Sequence, residues 1–260
     1  MLSKLLKYEL KNTYKTLSLI YLISISIAII TRIFNFISDK VTFLKVIVGF
    51  IDLLAILVVI SLPIITFIYT IFRYYKTMVK DEGYLTHTLP VSKNSLVLSK
   101  LIVSVTSLIL SVIVSIIVAI ISFNVWDKVT PIFKCLINEI NSYSQFIIPI
   151  YLVILLVSLV YMFTLIYTSI SYGQKKRDNK GLFSVIYGIV IYNITQIFSL
   201  ISIVIPVLWE KDYFKLLNEE IPPAHVIISI FIGSFIVTSV MLIILYRKNI
   251  SNLENKLNLE

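Results

Sequence analysis

Residues 96–122, LVLSKLIVSVTSLILSVIVSIIVAIIS, contain a single charged side chain, Lys100. A helix rises 1.5 Å per residue, so about 20 residues cross a hydrocarbon core about 30 Å thick. A strand of a lipid-spanning barrel would instead be about 10 residues long and alternate between apolar and polar side chains. The stretch therefore predicts a transmembrane helix.

Blocks of the same kind recur along the chain. They are Leu17–Ile37, Lys45–Ile71, Leu96–Ser122, Phe146–Ser171, Leu182–Val207 and His225–Tyr246. The 260 residues are 58% hydrophobic and 14% charged, with a mean hydropathy of +0.95, whereas soluble domains are about half apolar and a quarter charged. We expect an all-α integral membrane protein with six transmembrane helices, forming one domain over residues 1–260.

Basic residues indicate the orientation of these helices. With the N-terminus inside, sixteen of the 23 lysines and arginines are cytoplasmic: Lys4, Lys7, Lys11, Lys15, Arg73, Lys76, Lys80, Lys93, Lys100, Lys175, Lys176, Arg177, Lys180, Arg247, Lys248 and Lys256. The outer side has six: Lys40, Lys45, Lys128, Lys134, Lys211 and Lys215. The positive-inside rule then predicts cytoplasmic N and C termini, and Trp126 and Trp209 fall near the outer headgroups. This topology accounts for the net charge of +9 without a nucleic-acid partner.

Residues 1–15, MLSKLLKYELKNTYK, place leucines and lysines on different faces of a helix. Leu2, Leu5, Leu6 and Leu10 share one face, and Lys4, Lys7, Lys11 and Lys15 share another. This pattern is typical of an amphipathic helix on the inner membrane surface, where lysines meet anionic headgroups. The alternative is a solvated start of the first span.

Two charged residues lie inside the first two spans. Arg32 is about 15 residues into the first block and Asp52 about seven into the second, which places both in the outer half of the bilayer. An isolated charge is costly there, so we expect either an intramembrane ion pair between Arg32 and Asp52 or a snorkelling Arg32.

Small and polar residues mark one face of the third span and one face of the fifth. The small residues of the third span, Ser104, Ser107, Ser111, Ser115, Ala119 and Ser122, predict a helix-packing face. The fifth span aligns Gly188, Tyr192, Thr195, Gln196 and Ser199, and this face is more polar than packing requires. It indicates either a transport path or a subunit interface.

Several kinds of catalytic site have no motif in this sequence. The six glycines form no G-x-x-x-x-G-K-[ST] phosphate loop, and there is no H-E-x-x-H zinc motif. His87 and His225 fall on opposite sides of the membrane, and the lone Cys135 has no partner for a disulfide or a metal site. We therefore expect a chain that is not an enzyme and that holds no cofactor or metal of its own.

The cytoplasmic loop over residues 72–95 contains the stretch DEGYLTHTLPVS, residues 81–92. It combines the apolar side chains Tyr84, Leu85 and Leu89 with the polar side chains Asp81, Glu82 and His87. Gly83 and Pro90 are residues typical of turns and helix ends, so the piece between them is short. A short helix from Asp81 to Ser92 could dock into a groove of another protein.

The sequence resembles the membrane subunits of ABC exporters of the second permease class. The residues that carry the resemblance are GYLTHTLPVSKNSLVLSK, residues 83–100, and LLKYELK, residues 5–11. The resemblance implies that Asp81, Glu82, Tyr84, Leu85, His87 and Leu89 couple the chain to a separate ABC ATPase subunit, which binds ATP and magnesium. It also implies that residues 1–15 are an elbow helix and that two permease subunits, identical or different, assemble in the plasma membrane. Subunits of this kind serve export of, or resistance to, peptide antibiotics in Gram-positive bacteria.

Two other functions compete with this interpretation. A secondary transporter would use Arg32, Asp52 and the polar fifth span to handle a solute and a coupling ion. A membrane scaffold or immunity protein would transport nothing. Copurification of an ATPase would favour the exporter over both.

Overall fold

A computed structural model of the chain describes residues 2–38, 44–88, 90–123, 130–131, 134–135, 137–138, 147–176, 178–209, 213 and 224–255. The helices of this part are α1 (Leu2–Ser38), α2 (Leu44–Met78), α3 (Asp81–Thr88), α4 (Lys93–Phe123), α5 (Ile147–Gly173), α6 (Lys180–Ser199), α7 (Ile201–Trp209) and α8 (Ala224–Asn255). The loops over 123–145 and 208–224, which the sequence predicts on the outer side and to which it assigns no role, fall largely outside the described residues.

Six of the helices are long and apolar enough to cross a membrane. They are α1, α2, α4, α5, α6 and α8, as found over the described residues. Each corresponds to one of the six predicted blocks, so the prediction of an all-α protein with six candidate spans is confirmed. Length and composition support a multi-pass membrane protein.

The first helix is continuous from Leu2 to Ser38. Its 37 residues extend about 55 Å, well beyond the thickness of a hydrocarbon core. No break separates residues 2–15 from the first predicted span, so this segment is an extension of the same helix. Thr13 and Leu17 are fully buried on one side, whereas the four lysines Lys4, Lys7, Lys11 and Lys15 are exposed.

The fifth predicted block, Leu182–Val207, forms two helices instead of one. α6 ends at Ser199, and the N–H of Leu200 donates to the carbonyl of Ile197. Pro206 in α7 has no N–H to offer the carbonyl of Ser202 one turn earlier. A Cβ on Gly233 would lie 2.6 Å from that carbonyl oxygen, so only a glycine lets α8 pack this closely on α7.

The described residues pack into two compact units, and each has its own interior. The first unit comprises Met1–Arg73 and Ser95–Lys134. Leu17, Tyr21 and Leu62 form its core. Small residues of the third span were predicted to form a packing face. Its serines, Ser104, Ser107, Ser111, Ser115 and Ser122, are all buried in α4, as predicted, and Ala119 is half-buried.

The second unit comprises Tyr74–Asn94 and Cys135–Glu260. Within it α5 packs against both α6 and α8. Gly173 allows the tight approach of α5 to α6, because a Cβ there would lie 2.7 Å from the backbone nitrogen of Ser184. The hydroxyl of Thr168 in α5 donates to the carbonyl of Leu245 in α8 over 3.1 Å. The chain was predicted as one domain; α2 and α4 each contribute to both units.

Candidate functional site

A short helix connects the second and third long helices. α3 begins at Asp81 after a turn in which the N–H of Gly83 donates to the carbonyl of Lys80 over 2.6 Å. It ends at Thr88, whereas the sequence predicted an end at Ser92. The residue before a proline disfavours helical backbone, which explains an end before Pro90. The predicted short helix is therefore confirmed, with an earlier C-terminus.

One side of α3 exposes apolar side chains. Tyr84 and Leu85 are 65% and 67% exposed. Their neighbour Gly83 is buried, and Glu82 forms a solvent-exposed ion pair with Lys76 at 3.1 Å. Of the other residues predicted here, Leu89 and the side chain of Asp81 lie outside the described residues. The exposed pair gives α3 an apolar surface that no other part of the described chain covers.

The other end of α3 is held by His87. The ammonium of Lys93 lies 2.7 Å from Nδ1 of His87 and 3.2 Å from its carbonyl oxygen. An ammonium only donates hydrogen bonds, so Nδ1 is the acceptor and the proton is on Nε2. Nε2 then donates to the carbonyl oxygen of Met78 over 3.2 Å. His87 thus joins the end of α2 to the start of α4 in its neutral form.

The C-terminal end of α2 is anchored to α5 and α8. The rings of Tyr74 and Tyr167 stack with centroids 3.6 Å apart and an angle of 5° between their planes. The amide of Asn249 donates to the Tyr74 hydroxyl over 3.5 Å, and that of Gln174 donates to the Met78 carbonyl over 3.5 Å. The segment that contains α3 is therefore packed on helices distant in the sequence.

Of the residues predicted to form a polar face on the fifth span, some are buried in the structure and others are exposed. Thr195 is buried, and Gly188 faces α5, because a Cβ there would lie 3.4 Å from the hydroxyl of Ser169. Tyr192 is 53% exposed and Gln196 is also exposed. Ser199, which is half-buried, donates to the carbonyl of Gln196. Of the five residues predicted for this face, Tyr192 and Gln196 are the exposed ones with polar side chains.

Arg32 and Asp52 are not joined by an ion pair in the structure. Asp52 accepts a hydrogen bond of 2.8 Å from the side-chain amide of Asn35, which lies one turn beyond Arg32 in α1. Arg32 is exposed, and it takes part in none of the ion pairs found among the described residues. An amide satisfies the carboxylate here, while the longer arginine side chain is free to extend toward headgroups.

A charged cluster that the sequence interpretation missed lies near the start of α1. The carboxylate of Glu9 accepts from Lys100 at 2.7 Å and from Arg73 at 2.9 Å. All three side chains are largely buried, with 14%, 5% and 15% exposed for Glu9, Lys100 and Arg73. The sequence signal was available, since Glu9 shares the leucine side of residues 1–15, opposite the lysines. This acid ties α1 to α2 and α4.

Over the ranges that the structure describes, no group of three or more His, Cys, Asp or Glu side chains could hold a metal ion. An apolar groove of about 400 Å³ lies between α5 and α8, and its lining residues are Pro149, Ile150, Val153, Ile154, Phe231, Ile232 and Phe235. A groove lined only by apolar side chains has no group with which to orient a polar solute.

Comparisons of the chain with protein-family models, with curated proteins and with solved structures find no match.

Proposed function

We propose that this chain is the membrane-spanning permease subunit of an ATP-driven ABC exporter, with ATP hydrolysis on a separate ATPase subunit. The observation that carries the proposal is the exposed pair Tyr84 and Leu85 on the short helix α3. The distribution of basic residues predicts that this helix faces the cytoplasm, where a soluble ATPase would meet it.

The geometry of α3 suits a docking element. Burying a tyrosine or leucine side chain contributes about 1.5–3 kcal/mol, so two such anchors in a partner's pocket supply a useful part of a binding energy. Glu82 and His87 lie beside them and would form the polar rim. His87 is held by Lys93 and Met78, so the helix is fixed before it meets a partner and little ordering entropy is lost on binding.

The second partner in the proposal is another permease subunit. Tyr192 and Gln196, in the C-terminal half of α6, are exposed, and hydrocarbon cannot satisfy their polar groups. A second subunit, identical or different, or a water-filled transport path would satisfy these groups. Which of the two covers them is open to experiment.

The remaining parts of the proposal follow from the family resemblance. Residues 1–15, which are continuous with the first long helix in the structure, would take the place of the elbow helix. The location is the plasma membrane of a Gram-positive bacterium, and the cargo is an antimicrobial peptide or another amphipathic compound. A chain rich in Ile, Lys and Asn fits an AT-rich genome. The alternative, a secondary transporter that uses Arg32, Asp52 and the polar fifth span, predicts no captured ATPase in the experiment below.

The test is a site-specific photo-crosslink in the native host. A photoreactive amino acid at Leu85 should crosslink to a soluble protein that contains a phosphate-binding loop, identified by mass spectrometry. The matched control is the same amino acid at Asp178, an exposed position in the next cytoplasmic loop, which should not capture that protein.

Function is tested by the double substitution Tyr84→Ala and Leu85→Ala. It should weaken ATPase association and abolish ATP-dependent export while leaving membrane insertion intact, because neither residue defines a span. A double variant that binds the ATPase and exports at the wild-type rate would exclude α3 as the coupling element.

A further inference from the structure

The segment around α3 packs with the helices of the C-terminal half of the chain. Tyr74–Asn94 and Cys135–Glu260 form one compact unit. This segment includes the end of α2, all of α3 and the start of α4. Motion of α3 is therefore resisted through the residues that flank it, which contact α5 and α8 within the same unit.

Contacts to α5 and α8 lie on both sides of α3 in the sequence. Before it, Tyr74 stacks on Tyr167 of α5 and accepts a hydrogen bond from Asn249 of α8. After it, Asn94 accepts a hydrogen bond from the hydroxyl of Tyr246 of α8. Tyr246 and Asn249 are three residues apart on one helix, so adjacent side chains of α8 contact both ends of the α3 segment.

We propose that Asn249 and Tyr246 are positioning residues that transmit movement of α3 to α8 and, through Tyr74 and Tyr167, to α5. This inference rests on the proposed function and deepens it. The fourth and sixth spans, and not only the adjoining second and third spans, then respond when a partner moves α3. We call these two contacts, Tyr74–Asn249 and Asn94–Tyr246, the α8 clamp.

Helices α5 and α8 are well suited to respond as a pair. Two hydrogen bonds cross between them near the clamp, from Thr168 to the Leu245 carbonyl and from Asn252 to the Ser171 hydroxyl. The bond from Asn252 is 3.2 Å long and buried. A displacement delivered to either helix is therefore shared by both.

Asn249 is poorly suited to a purely stabilising role. It is fully buried, its one hydrogen bond to Tyr74 is 3.5 Å long, and its Oδ1 has no partner among the described residues. A buried amide with an unpaired acceptor opposes folding, and an apolar side chain of similar shape would be at least as stable. The hydrogen bond from Asn249 to Tyr74 is long and therefore weak, which suits a contact that changes when α3 moves.

The experiment compares Tyr74→Phe with Asn249→Leu, singly and together, and adds Tyr246→Phe. Removing both members of the Tyr74–Asn249 contact leaves no unpaired group, so the melting temperature of the purified double variant should equal or exceed that of the wild type. ATP-dependent export should fall at least tenfold, while the photo-crosslink from Leu85 to the ATPase should remain. Tyr151→Phe, a tyrosine of α5 outside the clamp, is the matched control and should leave export unchanged.

Two results would overturn the proposal. Export within twofold of wild type in the double variant would show that the contact transmits nothing. A large fall in melting temperature together with loss of the crosslink would show that the contact is only structural.

A measurement that needs no ATPase separates this inference from the proposed function. A spin label on a cysteine at Leu85, with Cys135 replaced by serine, should become more mobile when Tyr246→Phe and Asn249→Leu are combined. Unchanged mobility would refute the clamp even if α3 does bind an ATPase. If the wild-type protein captures no ATPase but the label responds, the proposed function fails and the mechanical link stands.

Discussion

Glu9, eight residues before the first apolar block, accepts a hydrogen bond from Lys100, which lies inside the third block, over 2.7 Å. The same carboxylate pairs with Arg73 at 2.9 Å, so one acid is shared by two cations from two other helices. The N-terminal end of α1 is thereby bound to protein on its leucine side, and its lysine side is left for headgroups or a partner. The cluster therefore joins α1, α2 and α4 through their side chains within the first unit.

Neutralising this acid should destabilise the protein. Glu9→Gln leaves the largely buried cations of Lys100 and Arg73 without their shared carboxylate, and breaking such a buried pair costs about 3–5 kcal/mol. We expect a fall of several degrees in the melting temperature of the purified protein. Lys76→Ala, which removes the exposed pair with Glu82, is the control and should cost about 1 kcal/mol or less. Equal effects of the two substitutions would contradict a buried role for Glu9.

Gly233 should not tolerate a methyl group. The Cβ of Gly233→Ala would lie 2.6 Å from the backbone oxygen of Ser202, so α7 and α8 must separate. Overpacking of this kind costs about 1–3 kcal/mol, visible as a lower melting temperature. Gly49→Ala is the matched control, since a Cβ there meets nothing within 4 Å, and alanine should stabilise the helix by up to about 1 kcal/mol.

Asp52 should couple to Asn35 and not to Arg32. In a double-mutant cycle on thermal stability, Asn35→Ala and Asp52→Ala should be non-additive by about 0.5 kcal/mol or more, because they share a hydrogen bond of 2.8 Å. Arg32→Ala and Asp52→Ala should be additive. Non-additivity of the second pair would restore the ion pair that the sequence suggested.

The exposed polar groups of α6 should be covered by protein or water. Cysteines at Tyr192 and Gln196 should either crosslink between two subunits or react with an aqueous thiol reagent, whereas one at the buried Ser184 should do neither. If Tyr192 and Gln196 behave like Ser184, these exposed side chains face lipid, and neither a second subunit nor a water-filled path covers them.

Both termini should be cytoplasmic. In a background without Cys135, cysteines at Ser142 and Asn218 should react with an impermeant reagent added to intact cells, and one at Asn179 should not, as the distribution of basic residues requires. Labelling at Asn179 would reverse the topology and would also move α3 to the wrong side for an ATPase.

The sequence alone determined the class of the protein and the number of its long helices. An apolar block of about 20 residues is stable in lipid as an α-helix, since every backbone N–H and C=O must be hydrogen-bonded within the segment. This requirement depends only on the residues of the segment itself. Two further features were predictable from local sequence. The burial of Ser104, Ser107 and Ser111 follows from their small size, and the short length of α3 follows from the turn residues Gly83 and Pro90.

Only the tertiary structure decided which polar groups meet. Glu9 and Lys100 are 91 residues apart in the chain, and Tyr74 and Asn249 are 175 apart. No periodicity within one helix reports such a contact, because each depends on how helices pack side by side. Asp52 shows the same limit. Its predicted depth in the bilayer followed from its position in the second block, but whether it contacts Arg32 or Asn35 depends on the rotation of α1 about its own axis. Packing against other helices sets that rotation, and the local sequence does not.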